Sequence, residues 1–286
     1  MKKYKYVYAN GCSYTHGEGL NYISHYNKTG EWKNSDMGIS DDERDEKYRG
    51  KWRYSKLLAD KLGCKEINKA CNGTSMDRAY RLITDFILTD ERAKDSLIVW
   101  QLTYIERGEQ FRNLPVGNFE SYPPGYDSDY YLYKEIKWLK AYDKYYFHPV
   151  VKLIDFMKKI LFLDSYCKEN DIGLVIFDGL LGIDHFGHTE SEQLEEHFHP
   201  EDVSNFRGVI DKFYERDIIY PICGESFVVA AQEKRHKKYL KIVNGAYACA
   251  ELDNKGKYKD THPGKDMMID IAESIYNKIV KGDIND

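Results

Sequence analysis

Ser13 lies in the segment Asn10-Gly11-Cys12-Ser13-Tyr14-Thr15-His16-Gly17-Glu18-Gly19. Glycines on both sides permit a sharp turn and close approach of a substrate. A helix beginning here would direct backbone N–H groups at a developing oxyanion. A hydroxyl so placed is a candidate nucleophile, although the segment taken alone also reads as an N-cap serine in an ordinary strand-to-helix loop. Far along the chain, Tyr258-Lys259-Asp260-Thr261-His262-Pro263-Gly264 precedes an amphipathic stretch. A neutral imidazole at His262 can take a serine proton, and the carboxylate of Asp260 can hold the other ring nitrogen. The plain alternative is that Asp260 or Thr261 caps the following helix and His262 is a surface residue.

Other groups compete for the chemistry. His185, His188, His197 and His199 form His-x-x-His and His-x-His spacings near Asp184 and Glu190, a pattern that can bind zinc. No cysteine stands beside them and the surroundings are polar, so a solvated loop is expected, with neither metal nor cofactor. His16, three residues after Ser13, ranks below His262 as a base, because residues so close on one helix rarely converge on a shared substrate. Cys12 is expected to face the core. Asp178, at the end of a strand, is placed for a substrate contact, against a turn role before Gly179. Gly17-Glu18-Gly19 lacks both G-x-G-x-x-G and the G-K-[ST] ending of a phosphate loop.

The elements that must position these groups follow from periodicity. Lys5 to Ala9 alternates and meets Asn10-Gly11, which predicts a first strand and a turn. Trp52 to Leu62 has helical spacing before Gly63, and a short strand is expected at Lys65 to Asn68. From Ser75, the residues Met76, Ala79, Leu82, Ile83 and Phe86 share one helical face to about Leu88. Ser96 to Leu102 is a continuous apolar run, the mark of a strand buried on both faces. Val150 to Asn170 predicts a helix and Ile172 to Phe177 a buried strand ending at Asp178. Pro263 to Val280 is a terminal helix with Met268, Ile271, Ala272, Ile275 and Ile279 on one stripe. This alternation argues for a mainly parallel sheet with helices on both sides, whose ligands gather at the carboxyl ends of the strands. Two polar or tyrosine-rich stretches, about 21–50 and 108–146, read as insertions in a single domain spanning 1–286, the second a candidate lid.

Taken together, Gly11-Cys12-Ser13-Tyr14-Thr15-His16-Gly17, Asn68-Lys69-Ala70-Cys71-Asn72-Gly73-Thr74-Ser75 and the late Asp260-Thr261-His262-Pro263 segment resemble the SGNH (GDSL-like) hydrolases in order and spacing. The resemblance spans nearly the whole chain. It implies a three-layer α/β/α sandwich, flavodoxin-like, in which Ser13 attacks an ester carbonyl. It also implies that the N–H groups of Ser13 and Gly73 bind the oxyanion. The family's third block normally ends in Gly-x-Asn-Asp. Here Val99-Trp100-Gln101-Leu102-Thr103-Tyr104-Ile105-Glu106-Arg107 occupies its place without an asparagine. Thr103 or Gln101 is the implied replacement donor, with Asn72 as another, and Asp178, Tyr104 and Gln101 are the expected substrate contacts. The family's acid stands three residues before the histidine, where this chain has Lys259; Asp260 is one step closer.

Composition narrows the partners. The 286 residues carry 42% hydrophobic and 31% charged side chains and a formal net charge of −5. Scattered Lys and Arg at that net charge argue against nucleic acid. The segment Met1 to Asn10 has no apolar run of signal-peptide length, and no stretch approaches the ~20 apolar residues of a membrane span. A cytoplasmic protein with reduced thiols is expected, since the six cysteines include no C-x-x-C pair. The tyrosines between Tyr122 and Tyr146 suit a surface that stacks on sugar rings. The expected activity is therefore a serine esterase acting on O-acyl esters, possible on carbohydrate. An O-acyltransferase, or a glycan-binding or structural module that has lost turnover, are the alternatives. The sequence does not indicate an oligomeric state.

Overall fold

Alternate residues of the run at Ser96–Leu102 must face opposite sides of any sheet they join, and here both sides are apolar. In the computed structural model this strand, β3, is buried along its whole length. The structure describes residues 4–17, 20, 49–103, 108–112, 118–122, 148–179, 194, 198–216, 218–220 and 265–280. Beside β3 run β1 (Tyr6–Asn10), β2 (Lys65–Asn68), β6 (Gly173–Asp178) and β7 (Ile219–Tyr220), all parallel, in the order β2-β1-β3-β6-β7. A separate antiparallel hairpin joins β4 (Gly108–Arg112) to β5 (Asn118–Tyr122).

Helices cover both faces. After the single turn α1 (Ser13–His16) come α2 (Tyr54–Leu62), α3 (Met76–Thr89), α4 (Pro149–Glu169), α5 (Pro200–Glu215) and α6 (Lys265–Val280). On one face, Val7, Leu97, Val99, Val175 and Phe177 meet Tyr54 and Leu58 of α2 and Met268, Ile271, Ala272 and Ile275 of α6. On the other, Tyr8, Ile98, Trp100, Leu102 and Ile176 meet Met76, Ile83 and Phe86 of α3 and Leu153, Phe156, Met157 and Ile160 of α4. The three-layer α/β/α architecture expected from the alternation is the one observed.

Most boundaries fall within one or two residues of expectation. Ser75 is the N-cap of α3, its hydroxyl accepting from the Arg78 N–H at 3.2 Å. Four of these elements were not foreseen. The hairpin β4-β5 lies inside the stretch read as an insertion, and α5 opens on Pro200 just after the histidine-rich segment. β7 is only two residues long, too short for period-two alternation to register. Among the described residues no helix is long and apolar enough to cross a membrane.

Candidate active site

A parallel sheet exposes its strand ends to a rim of loops, and the loops after β2, β1 and β3 are adjacent there because the strands are. The register aligns Ala9 of β1 with Asn68 of β2, and Asn10 with Trp100 of β3. Ser13, three residues past the end of β1, therefore stands between the segment holding Asn72 and Gly73 and the segment holding Thr103. These are the three blocks singled out in the sequence.

The turn that carries Ser13 is tightly constrained. Asn10 is fully buried; its Oδ1 accepts from the Gly11 N–H at 2.8 Å and its Nδ2 donates to Ala79 O of α3 at 3.5 Å. Gly11 has φ +155°, and a Cβ there would lie 2.4 Å from Thr15 Oγ1 and 2.8 Å from Gln101 Cβ. Only glycine fits against both. Cys12 is fully buried, as expected of a core-facing residue, and its Sγ lies 3.8 Å from Gln101 Oε1. Ser13 opens α1 and is 9% exposed. The helix expected to follow it is a single turn of four residues, ended by Gly17, so any oxyanion donors here are individual N–H groups and not a helix macrodipole.

Gln101 anchors this turn. Its Oε1 accepts from the Thr15 N–H at 3.1 Å and from Thr15 Oγ1 at 2.5 Å. A carboxamide oxygen only accepts, so Thr15 spends its hydroxyl proton on Gln101, and the Tyr54 phenol, 2.9 Å away, donates to Thr15. Burial drives the Tyr54 phenol far above its ordinary pKa, so this phenol keeps its proton and is a fixed donor.

A second chain of contacts reaches the same turn from β2. Arg53 clasps Glu66 with two bonds of 2.7 Å, and Ser55 Oγ donates to Glu66 Oε1 at 2.5 Å. Asn68 Nδ2 then donates to Ser55 Oγ and to Thr15 O, both at 2.9 Å. Asn68 belongs to the second sequence block, yet its role in bracing α1 was not read there. Nor were those of Asn10, Thr15, Tyr54 and Glu66. The signal available was the i, i+2 placement of Glu66 and Asn68 on one face of β2.

The expected site residues divide as follows. Gly73 is exposed in the loop before α3, with φ +68°, and the N–H groups of Ser13 and Gly73 donate to no partner among the described residues. Asn72 is exposed beside it, and Thr103 follows β3 but is 1% exposed. Gln101, expected to touch substrate, is 1% exposed and turns its amide inward, because its carbonyl is the acceptor the Ser13 turn requires. Asp178 ends β6, paired with Leu102. His262, Asp260 and Tyr104 lie outside the described residues, as do His185, His188, His197, Asp184 and Glu190. His199 is exposed and precedes α5. Among the described residues no cluster of His, Cys, Asp and Glu could hold a metal.

The start of α6 lies on the same rim. Lys265 Nζ sits 3.6 Å from the centre of the Trp52 ring, and Lys61 at the end of α2 pairs with Glu273 at 2.5 Å, so α2 and α6 run side by side in one direction. The neighbouring Arg53 and Arg49 pack against Gly17 at the end of α1.

No protein-family model matches the chain, and no curated protein matches its sequence. Among solved structures it is similar to a carbohydrate esterase whose active site displays divergent catalytic and non-catalytic binding functions, at 13% identity and TM-score 0.39 over 97% of this chain. The chain spans 65% of the length of that esterase. It is also similar to an alpha/beta hydrolase from the metagenome of Lake Arreo, Spain, at 13% identity and TM-score 0.39, covering 99% of this chain and 97% of that one. A protein described as a GDSL-like lipase from Parabacteroides merdae is similar at 12% identity and TM-score 0.36, covering 96% of this chain and 94% of the other.

Proposed function

We propose that this chain is a serine esterase acting on O-acyl esters, with Ser13 as nucleophile and His262 as general base. The observation that carries the proposal is the Ser13 turn. It stands at the carboxyl edge of a central parallel strand, held by buried hydrogen bonds from two directions, with the Ser13 and Gly73 N–H groups uncommitted among the described residues.

In the proposed reaction His262 takes the Ser13 proton as Oγ attacks the carbonyl carbon. The N–H groups of Ser13 and Gly73, with Thr103 and Asn72 as further donors, stabilise the oxyanion. Collapse of the tetrahedral adduct breaks the ester C–O bond, the leaving alcohol takes the proton from His262, and an acyl-Ser13 remains. Water, deprotonated by the same imidazole, releases the acid; a sugar hydroxyl in its place makes the reaction an acyl transfer. Asp260 orients the imidazole, and Asp178 and Tyr104 contact the substrate. Support for the Ser13–His262 pairing comes from chain length. Only Pro263 and Gly264 separate His262 from Lys265, which lies on the shared rim, and three steps of about 3.5 Å bound that distance at roughly 10 Å. An O-acyl group on carbohydrate is the substrate class to assay first.

A fluorophosphonate probe tests the proposal. Wild type is expected to form a covalent adduct that Ser13→Ala abolishes. His262→Ala is expected to lower kcat/KM by at least about 10³-fold. Because the base must be neutral, kcat/KM should fall as acid protonates the imidazole. Absence of a Ser13-dependent adduct overturns the reading. The missing asparagine after β3, with Thr103 buried in its place, favours a second reading: a carbohydrate-binding module without turnover. Glycan binding that survives Ser13→Ala, with no ester cleavage by wild type, would establish it.

A further inference from the structure

Gln101 is a neutral side chain buried to 1% exposure whose two ends behave differently. Its carbonyl gathers three groups of the nucleophile turn: the Thr15 N–H, the Thr15 hydroxyl and the Cys12 thiol. Its amide nitrogen has no hydrogen-bond partner, an arrangement proteins seldom tolerate in the interior. The nitrogen points at Gly179, the first residue after β6. A Cβ on Gly179 would lie 2.2 Å from Nε2, 2.6 Å from Cγ and 2.8 Å from Cδ of Gln101. Gly11 abuts the same side chain from the opposite direction, its would-be Cβ lying 2.8 Å from Gln101 Cβ and 3.0 Å from Oε1. Two glycines on two different strand ends are thus required by one amide, which accepts an unpaired donor in order to present its oxygen to α1.

Resting on the esterase reading above, we propose that Gln101 is the positioning residue of the nucleophile. Wedged between Gly11 and Gly179, it sets the angle of the Ser13 turn through Thr15 and ties that angle to the end of β6. It touches neither the substrate nor Ser13 itself, so its effect is on where Oγ stands when the acyl carbon arrives. Misplacement of a reacting atom by about 1 Å costs on the order of 10²-fold in rate.

The experiment measures the second-order rate of Ser13 labelling by a fluorophosphonate, alongside a thermal melt, for full-length variants. Gln101→Leu removes the acceptor and is expected to slow labelling at least tenfold in protein that still melts cooperatively. Gly179→Ala leaves the Ser13 turn untouched but displaces the amide, and is expected to slow labelling comparably. The double variant Gln101→Ala/Gly179→Ala should label no more slowly than Gln101→Ala alone, because the added methyl then meets no amide. Gln101→Glu, which restores an acceptor oxygen, should label at least tenfold faster than Gln101→Leu; if the leucine variant does not fold, the comparison of Gly179→Ala with and without the Gln101 side chain carries the test. The inference is overturned if folded Gln101→Leu labels at the wild-type rate, or if Gly179→Ala slows labelling equally with and without Gln101. Failure of the esterase reading looks different: wild type itself then shows no Ser13 adduct.

Discussion

The two faces of the central sheet solve different problems with the same strands. The α3/α4 face is apolar along most of its depth, with Asn10 a buried polar side chain at its rim. Tyr8 stacks on Phe86 with ring centroids 4.1 Å apart, Trp100 fills the space below Tyr80, and the charges that do occur, such as Asp77 with Lys152 and Lys159, stay at the partly exposed seam between the helices. The α2/α6 face is apolar only in its lower part. Towards the strand ends it becomes a polar lattice of Tyr54, Thr15, Gln101, Asn68, Ser55, Glu66 and Arg53. Apolar packing is tolerant of small shifts and hydrogen-bond geometry is not, so the face that holds the proposed nucleophile is the one built from directional contacts. Stability and positioning are thereby separated across one sheet.

That separation can be broken from either side. The largest expected effect is at Glu66, whose side chain is 8% exposed and satisfied by Arg53 and Ser55. Glu66→Ala strands the Arg53 charge and should cost about 3–5 kcal/mol in a denaturant melt. It should also slow Ser13 labelling, because Ser55 and Asn68 lose their anchor. Ile83, fully buried on α3, gives the contrast. Ile83→Ala should cost about 2–5 kcal/mol through the transfer and cavity terms, while the folded fraction labels Ser13 at the wild-type rate. Equal labelling defects in the two variants would show that the faces are not separate.

How much of this was legible in the sequence follows the same division. The fold was readable because each face is written in apolar periodicity: the run Ser96–Leu102, the stripe through α3 and the stripe through α6. The turn that carries Ser13 was readable from Gly11, Ser13 and the blocks that accompany it. The lattice beneath it was not. Hydrogen bonds such as Gln101 to Thr15 join residues 86 apart in sequence, and a polar residue inside an apolar strand carries no mark of what it will bond to. Gln101 was read as a substrate contact for that reason: a polar side chain near a strand end suggests an outward role until the tertiary partner is known. The two-residue β7 escaped because it is shorter than the window in which alternation becomes distinct, and the hairpin β4-β5 because its strands, GEQFR and NFESY, carry no sustained apolar alternation.

The smallest expected effect tests the apolar face through its polar atom. Tyr8 is 1% exposed; its hydroxyl donates to Leu82 O at 2.9 Å, and burial pushes its pKa up to about 12. In the unfolded chain the phenol ionises near its ordinary value of about 10, while the folded chain retains the proton. Between those values the unfolded state binds fewer protons than the native one, so stability is intact below about pH 10 and falls as pH rises towards 12. Tyr8→Phe should cost about 1 kcal/mol at neutral pH for the lost hydrogen bond. It should also flatten the alkaline decline, so that the gap to wild type narrows between pH 10 and 12. Tyr54 on the other face contributes a decline of the same sign that Tyr8→Phe leaves in place. A variant whose alkaline melt parallels wild type would show that the Tyr8 phenol is reached by water, and the contrast between a sealed apolar face and a polar one would be lost at that point.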